Sequence, residues 1–301
     1  MKSNIYVTAY GKDNVDRGIH LLSFEGKLHR EKYLSLFGKC NLVLQHESYL
    51  ILSVKYANEN KLEIYDFDFN FIKSFECEYF YSYGHVKNNK CYLASYENGV
   101  DSVFDLENEC FISHNIHKKE GSKAKSHYIK CLDDKIIGIE NGLQQFIIYK
   151  NDSLEIERVI QYPPINIRLL SFHPNGKYAY MNTEFSNEVI VLDTHDFNVL
   201  NRYQMVDHEG WYSGGNAISS DGRYICSSIR GEDAIYVFET FEDQLKLVKT
   251  FNCGKNPRDL IFINEYLFVT CTDDHCIEVY DREFNKIDSL EMNQPITFGL
   301  K

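Results

Sequence analysis

The strongest constraint in this chain is a repeat. Over most of its 301 residues apolar and polar side chains alternate with period two, the spacing of a half-buried strand, and little follows the 3.6-residue period of a helix. Tyr49–Val54, Lys61–Tyr65, Glu188–Leu192 and Ala234–Phe238 are examples. Turn formers interrupt at short, regular intervals, as in Pro174-Asn175-Gly176, Ser220-Asp221-Gly222, Glu97-Asn98-Gly99 and Glu140-Asn141-Gly142. A longer period lies over this one. An apolar strand, a second strand, a third apolar strand and a polar strand follow each other, and the unit begins again. Its first strands start near Asn41, His85, His127, Arg168, Asn216 and Arg258, 41 to 48 residues apart. Four short strands at that period are the pattern of propeller blades.

Six units are complete and a seventh is split. Pro295–Lys301 supplies its first strand, and Asn4–Ala9, Gly18–Phe24 and Lys27–Leu34 supply the other three. The expected fold is therefore all-β: a seven-bladed β-propeller of four-stranded antiparallel blades, closed by N- and C-terminal strands sharing one blade. Sharing a blade removes the open edges that a row of strands otherwise leaves. No linker or low-complexity tract suggests a second domain, so residues 1–301 read as one propeller domain. The polar stretch His117–Ser126 reads as a surface loop between blades.

Composition excludes several functions. Lys and Arg number 32 against 44 Asp and Glu, a net charge of −12, whereas nucleic-acid binding rests on clustered positive charge. The 22 Tyr and 20 Phe favour strands. No run of 18 apolar residues offers a membrane helix, and the N-terminus passes directly into a strand-like stretch without a signal-like apolar core. Nine cysteines, an odd number without a Cys-x-x-Cys pair, read as reduced core thiols of a cytoplasmic protein. Cys271-Thr-Asp-Asp-His275-Cys276 contains metal-ligand types, but its spacing matches no common zinc pattern and both cysteines flank a turn, so no metal is expected there. Without a Gly-rich phosphate loop or a metal-ligand cluster, kinase, phosphatase and metalloenzyme chemistry are not expected, nor is a cofactor. The expected partner is a small molecule, with neither nucleic acid nor membrane, and the chain is expected to be a monomer or a weak homo-oligomer.

In a propeller the first strand of each blade lines the central axis, and the second returns beside it. The start of the first strand and the end of the second therefore open at one mouth. The starts carry His85, His127, Arg168, Asn216 and Arg258; the ends carry Tyr10, Tyr56, Tyr96, Glu140, Glu184, Arg230 and Thr272. Three of the nine Arg, two His and two Glu thus converge in an acidic chain. A ring of inter-blade salt bridges is one reading. A pocket with an excess of guanidinium, suited to an anion, is the other.

These stretches resemble the seven-bladed propeller lactonases, the family of propeller-type 6-phosphogluconolactonase and the carboxy-muconate lactonizing enzyme. The resemblance is carried by Tyr6-Val-Thr-Ala-Tyr10 with Gly18-Ile-His20, by Arg168–Glu184 with its Phe-His-Pro-Asn-Gly turn, by Ala217–Gly231, and by Gly254-Lys-Asn-Pro-Arg-Asp259. Leu169 stands where the family commonly has His, and Thr183 and Ile229 stand where it usually has Asn. The resemblance implies a lactone hydrolase acting on an anionic sugar lactone, with 6-phosphoglucono-1,5-lactone the leading substrate, by metal-free general acid/base catalysis.

Such chemistry needs a base to activate water, cations for the substrate anion and the developing oxyanion, and an acid for the leaving alkoxide. By resemblance, Glu184 is the general base or the carboxylate that orients it, and His127 is its acid/base partner. Arg230 joins them as a catalytic residue. Arg168 and Arg258 are expected to bind substrate, with Glu140, His85, Asn216 and Tyr96. The loop Asp207-His-Glu-Gly-Trp211 offers a second carboxylate–His pair and the only Trp, and reads either as a lid over the mouth or as a packing loop. A muconolactone-type cycloisomerase using the same residues, or a propeller that binds a ligand or protein without chemistry, are the alternatives.

Overall fold

The computed structural model describes residues 3–12, 15–132 and 135–299. Twenty-eight strands and no α-helix occur among them, forming seven four-stranded sheets. Six sheets are laid out in chain order and the seventh sets the last strand beside the first three, so in each the leading strand is one edge and the fourth strand the other. The leading strands of the first to seventh sheets are Lys39–Gln45, Tyr83–Lys87, Ser126–Cys131, Ile167–Phe172, Tyr212–Ile218, Pro257–Ile263 and Pro295–Phe298. Their second strands are Leu50–Lys55, Lys90–Ser95, Ile136–Glu140, Tyr178–Thr183, Tyr224–Arg230, Tyr266–Cys271 and Ser3–Ala9. Two compact units result, residues 3–33 with 169–298, and residues 34–168 with 299.

Sequence pattern explains the layers within a sheet. Second and third strands are short apolar runs covered on both faces: Leu50–Val54 and Ile136–Glu140 are buried throughout. Fourth strands alternate, as in Cys110–Ile116 and Val199–Gln204, where exposed residues take every second place. Apolar faces of neighbouring strands meet in continuous clusters, such as Leu42, Ile51, Leu62, Tyr81 and Leu93 in one unit, and Val189, Val191, Ile225, Ile229 and Phe238 in the other. The seventh sheet is split between the termini as expected: Val7 and Thr8 pair with Phe298 and Thr297. Its first expected strand, 295–301, runs from Pro295 to Phe298; residues 300 and 301 lie outside the described set.

One irregularity recurs. Pairing of leading with second strand slips at Cys40/Leu42, Ser126/Tyr128, Ser213/Asn216 and Pro257/Asp259. Each slip is a β-bulge, in which an extra residue is pushed out of the ladder and its side chain is re-aimed. Asn41, His127 and Arg258 are such extra residues. A shared hydrogen bond marks the position just after the bulge: Gly215 N–H donates to Ser228 Oγ, and Asp259 N–H to Thr270 Oγ1, both at 2.8–2.9 Å. Leu169 N–H donates to Asn182 Oδ1 in the same way at 3.0 Å, which puts Arg168 at the bulge place of the fourth sheet and Gly214 at that of the fifth.

Candidate active site

Bulges and hairpins together fix which expected residues share a level. In the second, third, fifth and sixth sheets the last paired residues of the second strand are Ser95, Glu140, Ile229 and Cys271, opposite Val100, Gln145, Ala234 and Cys276. The residue that follows has no partner on the third strand, and these residues are Tyr96, Asn141, Arg230 and Thr272. In the fourth sheet Asn182 pairs with Val189, which brings Glu184 to the same level. Glu140 therefore stands one residue deeper than Glu184 and Arg230, and a one-residue step in a strand reverses the side chain's face. It is fully buried, and its carboxylate accepts the backbone N–H groups of Lys125 and Leu143. Burial raises its pKa against those hydrogen bonds. Asn141 takes the level expected for Glu140; its amide donates to Ile167 O at 2.9 Å.

The unit of residues 3–33 and 169–298 carries the most chemistry at that level. Arg230 Nη2 donates to Glu184 Oε1 at 2.5 Å and to the carbonyl of Ser213 at 2.9 Å. Ser213 N–H in turn donates to Glu184 O at 3.0 Å, so backbone pairing of adjacent sheets holds the ion pair's two ends. Both side chains keep a minor exposure, 16% for Glu184 and 21% for Arg230. Arg230 Nε is buried with no hydrogen-bond partner among the described residues. Arg258, half-buried on its bulge, lies over the Tyr10 ring at 5.8 Å, a cation–π contact. Thr272 spends its hydroxyl on Pro295 O at 2.7 Å.

The fifth sheet has a glycine at its bulge place. A Cβ on Gly214 would lie 2.4 Å from Pro257 O and 2.6 Å from Ser228 Oγ, so the fifth sheet presents no side chain at its bulge. Asn216 lies two residues deeper, nearly buried, with its amide donating to Tyr180 O at 2.9 Å. Aromatic groups flank the ion pair instead. Phe185, next to Glu184, contacts Tyr212, the ladder partner of Arg230, with ring centroids 5.4 Å apart, and both rings are largely exposed. Trp211 stacks on His208 at 3.9 Å and lies against Gly231, whose φ of 94° and missing Cβ admit the indole. The loop read as lid or packing element thus packs its Trp immediately after Arg230.

In the unit of residues 34–168, His127 is half-buried on its bulge and meets the Tyr96 ring edge-to-face at 5.5 Å. Lys125 Nζ lies over the same ring at 5.2 Å. Arg168 is buried at 7% exposure. His85 is not level with His127: it pairs with Tyr92, two residues into its strand, as Lys130 pairs with Ile137. Its Nδ1 accepts the Cys131 N–H, and burial, then Lys130 and Lys87, hold its pKa down at about 4. Periodicity does not reveal this, because it places the strand but not where along it the pairing begins. Asn141, Gly214, Ser213, Phe185 and Tyr212 were likewise not singled out; their signal is positional, the residue beside a turn or opposite Arg230.

Comparison with known proteins decides the fold family. The family model described as lactonase, 7-bladed beta-propeller, matches residues 77–296. The chain belongs to the seven-bladed β-propeller lactonase family. Its relatives include 6-phosphogluconolactonase of Bacillus subtilis, 28% identical over 200 residues, which cover 58% of this chain and 57% of that protein. An uncharacterised protein of Staphylococcus saprophyticus is 25% identical over 175 residues, covering 52% of this lactonase-family chain and 50% of that one. The chain thus spans little over half the length of the curated relatives it matches. Among solved structures, a Lactobacillus plantarum protein superposes with TM-score 0.89 at 17% identity, covering 99% of both chains. A Pseudomonas aeruginosa periplasmic gluconolactonase superposes with TM-score 0.84 at 17% identity, covering 99% of this chain and 98% of that one. The seven sheets are the blades of this family's propeller. No helix among the described residues is long and apolar enough to cross a membrane.

Proposed function

We propose that this lactonase-family chain hydrolyses an anionic sugar lactone, with 6-phosphoglucono-1,5-lactone as the leading substrate, in the cytoplasm. The observation that carries the reading is the Glu184–Arg230 pair, held by backbone pairing through Ser213 and still partly exposed. The match to 6-phosphogluconolactonase supports the substrate class.

In the reaction, water adds to the lactone carbonyl carbon, the ring C–O bond breaks, and the alkoxide takes a proton. Glu184 accepts the proton of the attacking water, or orients the water that loses it. Arg230, through the partly exposed face of its guanidinium, polarises the carbonyl and stabilises the oxyanion that forms. Arg258, on its bulge, binds the substrate's anionic group; Arg168 has the same role by type, and His127 is the acid for the leaving alkoxide. Exposed Phe185 and Tyr212 offer apolar faces to a sugar ring.

The test is the hydrolysis rate of freshly generated 6-phosphogluconolactone above its spontaneous rate. Wild type accelerates it. Glu184→Gln, which keeps the shape but not the charge, loses about 10²–10⁴-fold in kcat/KM, and His127→Asn is scored separately. Equal rates for wild type and buffer would sink the phosphosugar assignment. An active Glu184→Gln would sink the role of Glu184.

A further inference from the structure

Three cysteines and a buried carboxylate meet at one corner of the sixth blade. Cys271 ends its second strand and Cys276 opens its third strand, Cys276–Tyr280; the two are direct ladder partners across a tight hairpin. Glu278 lies two residues beyond Cys276, hence on the same face of that strand. The sulfurs of Cys271 and Cys276 and a Glu278 oxygen all lie within 4.8 Å of one another. Cys253, just past the fourth strand of the fifth sheet, Gln244–Asn252, brings a third sulfur beside Cys271, its thiol donating to Asp233 O at 3.4 Å. The linear spacing Cys271-x₄-Cys276 showed none of this, because two of the four donors come from outside the hairpin turn.

Several features make the corner a built site. Gly254 makes room for it: a Cβ there would lie 2.8 Å from Cys271 Cβ and 3.0 Å from its Sγ. Glu278 is 4% exposed, and its orientation is fixed from three sides. Oε2 accepts Gly254 N–H at 3.0 Å and Tyr280 O–H at 2.6 Å, and Oε1 accepts Lys286 Nζ. A carboxylate has about four lone-pair positions, so one remains.

We propose that Cys271, Cys276 and Glu278, with Cys253 as the fourth donor, bind one thiophilic cation of the zinc type. Sulfur–metal bonds of about 2.3 Å in a tetrahedron need donor atoms roughly 3.5–3.8 Å apart, a contraction of about one ångström from the outer limit of the present spacing. On binding, Cys253, Cys271 and Cys276 each release a proton to solvent and their sulfur lone pairs form the metal bonds; nothing is oxidised or reduced. A dication with three thiolates, the Glu278 carboxylate and the Lys286 ammonium leaves one net negative charge at the site. Soft sulfur donors select zinc, cadmium or copper(I) over magnesium or calcium. The site is independent of the lactonase reading, since it uses none of the residues assigned to that reaction.

The test uses full-length protein, reduced, stripped with chelator and titrated with Co²⁺ and then Zn²⁺. The expected result is one equivalent of Co²⁺ with thiolate-to-metal charge transfer and intense tetrahedral visible absorption, both bleached by Zn²⁺, together with a Tm that rises on adding Zn²⁺. Cys276→Ser and Cys271→Ser lose the charge-transfer band and the Tm response, while Cys110→Ser, on an exposed fourth strand of the second sheet, keeps both. Glu278→Gln retains the charge-transfer band with weaker affinity. Less than a tenth of an equivalent in wild type, an octahedral spectrum, or binding unaffected by Cys276→Ser overturns the proposal. So does a wild type that takes no metal because Cys271 and Cys276 have joined as a disulfide that survives reduction. The wild-type spectrum decides even if a variant fails to fold.

Discussion

Arg230 shows what one side chain does at this site. A single Nη2 serves the Glu184 carboxylate and the Ser213 carbonyl, which fixes the guanidinium plane and leaves Nε buried. A buried network in the other unit shows the opposite use of charge. The Asp101 carboxylate, 1% exposed, accepts from Ser126 Oγ and Tyr149 O–H and pairs with His117 Nε2 at 3.1 Å. Burial pulls the His117 pKa down, but the hydrogen bond and charge of Asp101, with Glu140, outweigh it, and the net shift is upward from 6.5. A histidine raised in the folded state adds stability that is full below pH 6.5 and fades as pH climbs through the folded value. The urea midpoint of wild type should therefore fall relative to that of Asp101→Asn as pH rises from 6 to 8. A constant difference across that range would show that His117 does not titrate with the fold.

At the scale of a strand, the bulge separates catalytic-type from packing positions. His127, Arg168 and Arg258 hold bulge places, and the fifth sheet has Gly214 there because its neighbours' backbone leaves no room for a Cβ. Gly214→Ala must push Pro257 O or the ladder aside, and should cost about 1–3 kcal/mol, the usual penalty of overpacking; thermal unfolding reads it directly. An unchanged Tm would mean that the backbone relaxes freely. Turns obey similar local rules. Lys87 pairs with Lys90 across Asn88-Asn89, both left-handed at φ 51° and 55°, the two-residue turn that suits hairpin twist. Asn89→Gly removes the Cβ penalty but also an exposed bond to His46 at 3.1 Å, so a net gain of about 0.5 kcal/mol is expected in denaturant melts.

For the molecule as a whole, the seventh blade is where chain ends become structure. Pro295–Phe298 pairs with Ser3–Ala9, and Ile296 and Phe298 are 3% and 1% exposed. Burying each of these side chains contributes about 2–3 kcal/mol, a large fraction of the 5–15 kcal/mol by which folded proteins typically exceed their unfolded states. Removing residues 295–301 also bares the edge of Ser3–Ala9, a template for pairing with another chain. The truncated protein should unfold at distinctly lower temperature and associate on size-exclusion chromatography. A monomer with wild-type Tm would show that this strand is dispensable.

The repeat, the seven sheets and the split blade were all legible in the sequence, since each follows from period-two alternation and turn residues that act locally; Gly18–Phe24 runs between the bounds its residues predict. The levels of Glu184, Arg230, His127 and Arg258 could likewise be counted along their strands. Register decided the rest. Glu140 and Asn216 sit one and two residues from the levels expected of them, and His85 lies inside its strand, because ladder register sets these levels and no period announces it. Only the tertiary structure could pair Cys253 and Glu278 with the Cys271–Cys276 hairpin, or spend Arg230 on both Glu184 and Ser213. Those contacts join residues that lie far apart along the chain or depend on ladder register, and local patterning carries no information about which distant side chain will arrive.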